Sequence, residues 1–151
     1  MSDPERQIHL RLPSNFEALE LVEQVLEKLM TRFGFQADDL FSAQLATRET
    51  MANAIQHGNR QDPEKTVRVD LVFGSEVLQI VVKDQGQGFD LAQLPDPLDP
   101  ENLLKPSGRG ILLMRKLTDD VRFSFPPSGG TEVCLTLRTD SIADTGVESQ
   151  E

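Results

Sequence analysis

Hydrophobic and polar residues alternate with two periods along the chain, and each change of period marks a boundary between predicted elements. Five segments alternate in steps of two, as strands with one buried face do: residues 8–12, 67–73, 77–83, 121–125 and 133–137. Three segments have apolar residues at helical spacing: residues 18–33, 38–58 and 108–117. This order predicts an α+β fold, a two-layer α/β sandwich with a mixed, mostly antiparallel sheet that carries the helices on one face.

Glycines and prolines fall where these predicted elements end. Gly34 is placed to end the first helix and Gly58 the second, since glycine readily adopts the backbone conformation found just after a helix. Residues 84–107 contain four prolines and are predicted to form a long loop rather than a regular element. A loop of this length inside a compact domain is usually functional or disordered.

The second predicted helix carries an apolar stripe and a row of polar side chains. The stripe is predicted to consist of four residues: Phe41, Leu45, Ala52 and Ile55. The polar row is spaced i, i+4 and i+8: Glu49, Asn53 and His57. A carboxylate near a transferred phosphoryl group can deprotonate an attacking hydroxyl, and an amide oxygen is a suitable Mg²⁺ ligand. Taken alone, the row is more often a solvated helix face, and His57 an ordinary residue of a helix C-terminus.

Asp84 follows the third predicted strand and is itself followed by Gly86 and Gly88. A carboxylate there can accept a hydrogen bond from the exocyclic amine of adenine, and the glycines allow a ring or a phosphate to approach the backbone. An ordinary Asp/Gly turn explains the segment equally well in isolation. The glycine spacing differs from the dinucleotide-binding fingerprint, and the sequence contains no Walker phosphate loop.

Gly108, Arg109 and Gly110 open the third predicted helix, whose free N–H groups and positive dipole end form an anion site. Arg109 adds a charge there, although a surface arginine is the commoner use of this residue. Lys105 is the single base of the loop after residue 90, and it is the candidate to reach a terminal phosphate when that loop closes. Thr131, after two glycines in a hairpin turn, can reach an adenine edge directly or through water.

Length and charge narrow the classes of protein that the chain can belong to. The 151 residues fit one domain, predicted to span residues 1–138, and an acidic tail at 139–151 that is predicted to be disordered. A net charge of -10 argues against direct nucleic-acid binding. No segment reaches the roughly 20 apolar residues of a membrane helix, and the first residues lack signal-peptide character. A cytoplasmic protein without a membrane partner is therefore predicted.

Four segments taken together and in order resemble the nucleotide site of the GHKL (histidine kinase-like) ATPase superfamily, which includes gyrase B and the histidine kinases: residues 49–58, 84–89, 108–111 and 129–131. The first looks like the N box of that superfamily and the other three look like its glycine boxes. The short, free-standing format most resembles the anti-sigma-factor serine/threonine kinases. The similarity covers about residues 8–138, which is nearly the whole chain.

The resemblance implies a Bergerat-type fold, in which ATP lies under a mobile lid loop and Mg²⁺ joins the protein to the phosphates. It implies that Glu49 is the general base, Asn53 the Mg²⁺ ligand and Asp84 the adenine anchor. The other nucleotide-binding positions that it implies are His57, Gly86, Gly88, Lys105, Gly108, Arg109, Gly110 and Thr131.

The resemblance also implies a class of partner. In the anti-sigma-factor kinases the phosphoryl acceptor is a serine or threonine of a small antagonist protein, and the unphosphorylated antagonist competes with a sigma factor for the kinase. Members of this kind are often homodimers. A protein serine/threonine kinase with these partners is therefore predicted.

Two other functions are compatible with the same motifs. The first is a binding module that changes its affinity for a partner with nucleotide occupancy but without useful phosphotransfer. The second is a chaperone- or topoisomerase-like ATPase, which is disfavoured because the chain has no room for the second domain that such proteins use.

Overall fold

The computed structural model describes residues 6–86 and 106–138, with the side chains of the second range described from residue 110 onward. Several predictions lie outside these residues. They concern Gly88, Lys105, the lid loop up to residue 105, the side chain of Arg109 and the acidic tail.

Strands and helices follow one another in the order strand, two helices, two strands, helix, two strands. Their bounds are β1 (Arg6–Pro13), α1 (Glu17–Arg32), α2 (Ala37–Asn53) with a following π-helical turn (Ala54–Gly58), β2 (Thr66–Phe73), β3 (Val77–Lys83), α3 (Pro106–Leu117), β4 (Asp120–Ser124) and β5 (Glu132–Arg138). The strands form one sheet in the order β1-β2-β3-β5-β4. Every neighbouring pair of described strands is antiparallel, so the two-layer α+β sandwich is confirmed but a mixed sheet is wrong for these strands.

The core lies between the sheet and the helices. Alternate residues of the three central strands point into it, and the largest are completely buried, among them Leu71 of β2, Ile80 of β3 and Leu135 of β5. Leu26 of α1 and Met51 of α2 cover them from the helix layer. Complete burial of one such side chain contributes about 1.5–3 kcal/mol, so this core fixes the ends of β3 and β5 firmly.

Gly34 ends α1, as predicted. Its backbone has a φ of +85°, a conformation that residues with a Cβ rarely adopt. The Gly34 N–H donates to the Thr31 carbonyl at 3.1 Å, and the Phe35 N–H donates to the Met30 carbonyl at 2.9 Å. These two bonds form a Schellman motif, which satisfies carbonyls that the end of the helix leaves without partners.

The predicted apolar stripe of α2 is wrong at its N-terminal end. Phe41 is 63% exposed and Leu45 is only partly buried, whereas Ile55 is completely buried. The buried face of α2 instead carries small residues, among them Ala43 and Ala46. Small side chains allow this helix to approach α1 and the sheet closely, and a pattern search that gives most weight to large apolar residues misses such a face.

The straight polar row predicted for the second helix is also interrupted. After Asn53 the α-helix widens into the π-helical turn Ala54–Gly58, which His57 occupies with its side chain exposed. Single π-helical turns inside helices are frequent at functional sites. His57 therefore follows Glu49 and Asn53 on a segment of different helical pitch, and its place in the site stays a prediction.

The third helix begins earlier than predicted, at Pro106. Gly108, Arg109 and Gly110 therefore lie within the first turns of α3 rather than ahead of them.

Candidate nucleotide-binding site

Asp84 and Thr131 meet because β3 and β5 are neighbours at the centre of the sheet. Lys83 pairs with Glu132 in the register of these strands, so the next residues along, Asp84 and Thr131, face each other where the pairing ends. The Asp84 N–H donates to the Thr131 carbonyl at 3.0 Å, and the Thr131 N–H donates to Asp84 Oδ1 at 3.1 Å. Two predicted adenine-binding residues, 47 positions apart in sequence, are thus brought together by the sheet.

The Asp84 carboxylate is 4% exposed. Burial raises its pKa above the ordinary value, while the N–H groups of Gly86 and Thr131 and the charge of Lys65 oppose the rise. The Gly86 N–H donates to the same oxygen, Oδ1, at 2.9 Å. Two backbone donors therefore fix the orientation of this carboxyl group in a largely dry site.

Three glycines surround Asp84, and each allows a close approach. A methyl group on Gly58 would overlap the Asp84 carboxylate, and one on Gly130 would overlap the Asp84 carbonyl. Gly86 packs on the carbonyl of Gly58 in the same way. The prediction for Gly58 was that it ends the helix, but its larger effect is to let the end of the π-helical turn touch the carboxylate.

Thr131 supplies an unused polar group beside this carboxylate. The residue is 3% exposed, and its Oγ1 has no hydrogen-bond partner among the described residues. A buried hydroxyl without a partner costs about 1–3 kcal/mol, so a ligand that supplies a donor or an acceptor there would bind with a gain. A buried carboxylate and an unpaired hydroxyl, with glycines around them, fit the polar edge of a purine base.

Glu49 and Asn53 lie one turn apart on α2, and the first turns of α3 lie against them. A methyl group on Gly110 would stand 3.1 Å from Glu49 Oε2 and 3.8 Å from Asn53 Nδ2. Both side chains are partly exposed. The carboxylate and amide of α2 are thus adjacent to Gly110, in the glycine segment predicted to bind phosphate.

The remaining predicted site residues include some that the structure describes only in part and some that lie outside the described residues. The backbones of Gly108 and Arg109 lie in the first turns of α3, next to Gly110. His57 is exposed on the π-helical turn, and its role in the site stays a prediction. Gly88 and Lys105 remain predictions, because they lie outside the described residues.

Asn59 was not predicted, yet it is one of the most completely buried polar residues of the described chain, at 0% exposure. Its side chain accepts a hydrogen bond from the Gln85 N–H, directly after Asp84, at 2.7 Å. The hydrophobic pattern gives no signal for such a residue. Its position immediately after Gly58, at the end of a motif already singled out, was the available clue.

Comparisons with known proteins identify the family to which the chain belongs. Residues 12–137 match the family model described as a histidine kinase-like ATPase domain. The serine-protein kinase RsbW of Bacillus licheniformis is 31% identical to the chain over 95% of this chain and 94% of its own length. Proteins of the same name are 29% identical in Staphylococcus epidermidis, over 80% of each chain, and 27% identical in Bacillus subtilis, over 76% of each chain.

Two solved structures have the same fold. The RsbU and RsbW domains of Rv1364c from Mycobacterium tuberculosis match with a TM-score of 0.61 at 18% identity, over 88% of this chain and 32% of that chain. The mycobacterial sensor histidine kinase MprB matches with a TM-score of 0.53 at 16% identity, over 87% of this chain and 97% of that chain. At these identities the two matches show the fold alone.

The chain therefore belongs to the histidine kinase-like ATPase domain family and, within it, to the family of the serine-protein kinase RsbW. The family predicted from the four motifs is confirmed, and so is the class of enzyme, since the named relatives are serine-protein kinases. Use of ATP follows from the family. Among the described helices, none is long and apolar enough to cross a membrane.

Proposed function

We propose that this chain transfers the γ-phosphoryl group of ATP to a serine or threonine of a small antagonist protein, with Glu49 as the general base. The observation that carries the proposal is the position of Glu49 beside Gly110, at the first turns of α3. The N-terminus of α3 offers free N–H groups and a positive dipole end to phosphate. A base within reach of bound phosphate is what phosphoryl transfer to a hydroxyl needs.

In the proposed step, the acceptor hydroxyl oxygen forms a bond to the γ-phosphorus while the bond from that phosphorus to the bridging oxygen of ADP breaks. Glu49 takes the proton of the hydroxyl, and ADP leaves with the bridging oxygen. Most of the rate enhancement would come from orientation and from stabilisation of charge.

Asn53 is the residue that we propose holds Mg²⁺. Its amide oxygen is a neutral oxygen ligand of the kind that this ion accepts, and it lies one helical turn from Glu49 on the same side of α2. The ion would supply positive charge to the phosphates when bound. The first turns of α3 lie close to the Asn53 amide, which supports a position next to phosphate.

At the other end of the site, Asp84 would accept a hydrogen bond from the exocyclic amine of adenine, and the Thr131 hydroxyl would complete the contacts to the base. The unpaired Oγ1 of Thr131 supports this assignment. The phosphate end and the adenine end of the site are connected through Gly58, which ends the π-helical turn after α2 and packs on Asp84 after β3.

To test the kinase proposal, the protein is incubated with Mg-ATP and a small antagonist protein of the kind that anti-sigma-factor kinases phosphorylate. Phosphopeptide mass spectrometry is the readout. We expect phosphoserine or phosphothreonine in the antagonist. Glu49→Gln should reduce the rate about 10²–10⁴-fold, as loss of a general base does, and should leave ATP affinity within about twofold. Glu27→Gln, which alters an exposed carboxylate of α1, is the matched control and should transfer at the normal rate.

Transfer by Glu49→Gln at the wild-type rate would refute the role of Glu49. A wild-type protein that binds ATP and changes its affinity for the antagonist, yet yields no phosphorylated product, would instead support the nucleotide-gated binding module. Competition between the unphosphorylated antagonist and a sigma factor for the kinase, followed in a pull-down with purified components, tests the anti-sigma part of the proposal.

A further inference from the structure

The side chain of Asn59 forms hydrogen bonds with three separate parts of the chain, one of which directly follows Asp84. Its Nδ2 donates to Ser14 Oγ at 2.7 Å, after β1, and to the Thr66 carbonyl at 2.9 Å, at the start of β2. Its Oδ1 accepts from the Gln85 N–H at 2.7 Å, after β3. Both amide hydrogens are used, so the orientation of this carboxamide is fixed.

The partners of Asn59 are themselves held in place. Ser14 Oγ donates to the Lys65 carbonyl at 2.8 Å, so this hydroxyl has a donor role and an acceptor role at once. Gln85 Oε1 accepts from the Thr66 N–H at 2.7 Å. Gln85 is thereby bound through its backbone to Asn59 and through its side chain to β2.

The backbone around Asn59 needs such support. The Asn59 N–H closes the π-helical turn by donating to the Ala54 carbonyl at 2.8 Å. The next two residues, Arg60 and Gln61, have φ values of 54° and 55°, in the left-handed region that residues with a Cβ adopt at a cost. Backbone of this kind persists when surrounding contacts determine it, and the buried Asn59 amide provides three of them.

We propose that Asn59 is a positioning residue for adenine recognition. It acts through Asp84, which lies next to Gln85, while Gly58, which precedes Asn59, packs on the Asp84 carboxylate. The Asn59–Gln85 hydrogen bond therefore sets the distance between the α2 segment and the adenine-binding carboxylate. This inference rests on the proposed function, because it assumes that Asp84 receives the adenine amine.

The test compares two nucleotides that differ in the group that Asp84 would recognise. The dissociation constants of ATP and of purine riboside triphosphate, which lacks the 6-amino group, are measured by calorimetry for wild type and variants. In Asn59→Ala, ATP should bind about tenfold more weakly, because the displaced Asp84 carboxylate would lose its hydrogen bond from the adenine amine. The dissociation constant of the analogue, which lacks that amine, should change by no more than about twofold.

Two variants separate positioning from a structural effect. Ser14→Ala removes a hydrogen-bonding partner of Asn59 but leaves the bond to Gln85, so it should lower the stability to urea and keep the preference for ATP. Asn59→Asp keeps an oxygen for the Gln85 N–H and should restore much of that preference despite lower stability. If Asn59→Ala does not fold, Asn59→Ser replaces it, since its shorter side chain fills part of the cavity without reaching Gln85.

The proposal would be overturned if the substitution of Asn59 weakened the binding of both nucleotides equally. It would also be overturned if Ser14→Ala lost the preference for ATP to the same extent. An unchanged affinity for ATP would overturn it as well. A wild-type protein that binds ATP and its analogue equally well would contradict the role of Asp84 itself. That outcome would refute the proposed adenine contact, independently of what the Asn59 variants do.

Discussion

A single added methyl group at Gly58 should weaken ATP binding as well as lower the stability of the fold. Gly58 ends the π-helical turn at a normal negative φ, so alanine is compatible with its backbone. The obstacle is the neighbour: the methyl group of Gly58→Ala would overlap the Asp84 carboxylate. Asp84 is 4% exposed and two backbone N–H groups hold its Oδ1, so the carboxylate cannot move without loss of these contacts.

The cost can be worked out from the contacts that the carboxylate would lose. Asp84 Oδ1 accepts hydrogen bonds from the Gly86 N–H at 2.9 Å and the Thr131 N–H at 3.1 Å. Relief of the overlap would lengthen at least one of them. Overpacking of this kind typically costs about 1–3 kcal/mol of stability. A displaced carboxylate would also lose the hydrogen bond that we propose it accepts from adenine, and a bond to a charged group is worth about 1.5–3 kcal/mol, or roughly 10- to 100-fold in the ATP dissociation constant.

The assay is calorimetric titration with ATP alongside urea unfolding, with Gly34→Ala as the matched control. Gly34 has a φ of +85°, and a methyl group there would meet no described atom within 4 Å. Gly34→Ala should therefore lose about 1–2 kcal/mol of stability through backbone strain alone, with ATP affinity unchanged. An ATP affinity in Gly58→Ala equal to that of Gly34→Ala, at similar stability, would refute the steric reasoning.

Three further predictions address the core and the adenine end of the site. Thr131→Val should leave the unfolding free energy unchanged or slightly raised, because Oγ1 has no described partner, and should weaken ATP binding about 2- to 10-fold by calorimetry. Burial raises the folded-state pKa of Asp84, so its contribution to stability is complete below the ordinary carboxyl pKa and is lost as the pH rises through the raised value. Urea unfolding should therefore find Asp84→Asn at least as stable as wild type near neutral pH, with the difference shrinking in acid; a difference that grows in acid would contradict this sign. Ile55→Ala should cost about 2–5 kcal/mol in urea unfolding because the side chain is completely buried, whereas Phe41→Ala, at 63% exposure, should cost less than about 0.5 kcal/mol; equal losses would mean that the buried face of α2 is assigned wrongly.

The elements and the order of the motifs could be predicted from the sequence because they depend on local properties. Alternation in steps of two identified the strands, and Gly34 marked the end of α1 by its backbone freedom. Four short motifs were enough to identify the family. The second helix was harder, since its buried face uses small residues such as Ala43 and Ala46 while Phe41 points outward. Hydrophobic periodicity records which residues are large and apolar, but it does not record how closely two helices approach.

Packing between distant segments brings the candidate site residues together. Asp84 and Thr131 face each other because β3 lies beside β5 in the sheet, and that neighbour relation skips β4 in the chain order. Gly110 reaches Glu49 because α3 packs on α2. The three hydrogen-bond partners of Asn59 come from the residue after β1, the start of β2 and the segment after β3. The local elements and the family motifs can be recognised in the sequence because each depends on neighbouring residues. The close approaches depend on packing between distant segments, which come together only in the folded chain.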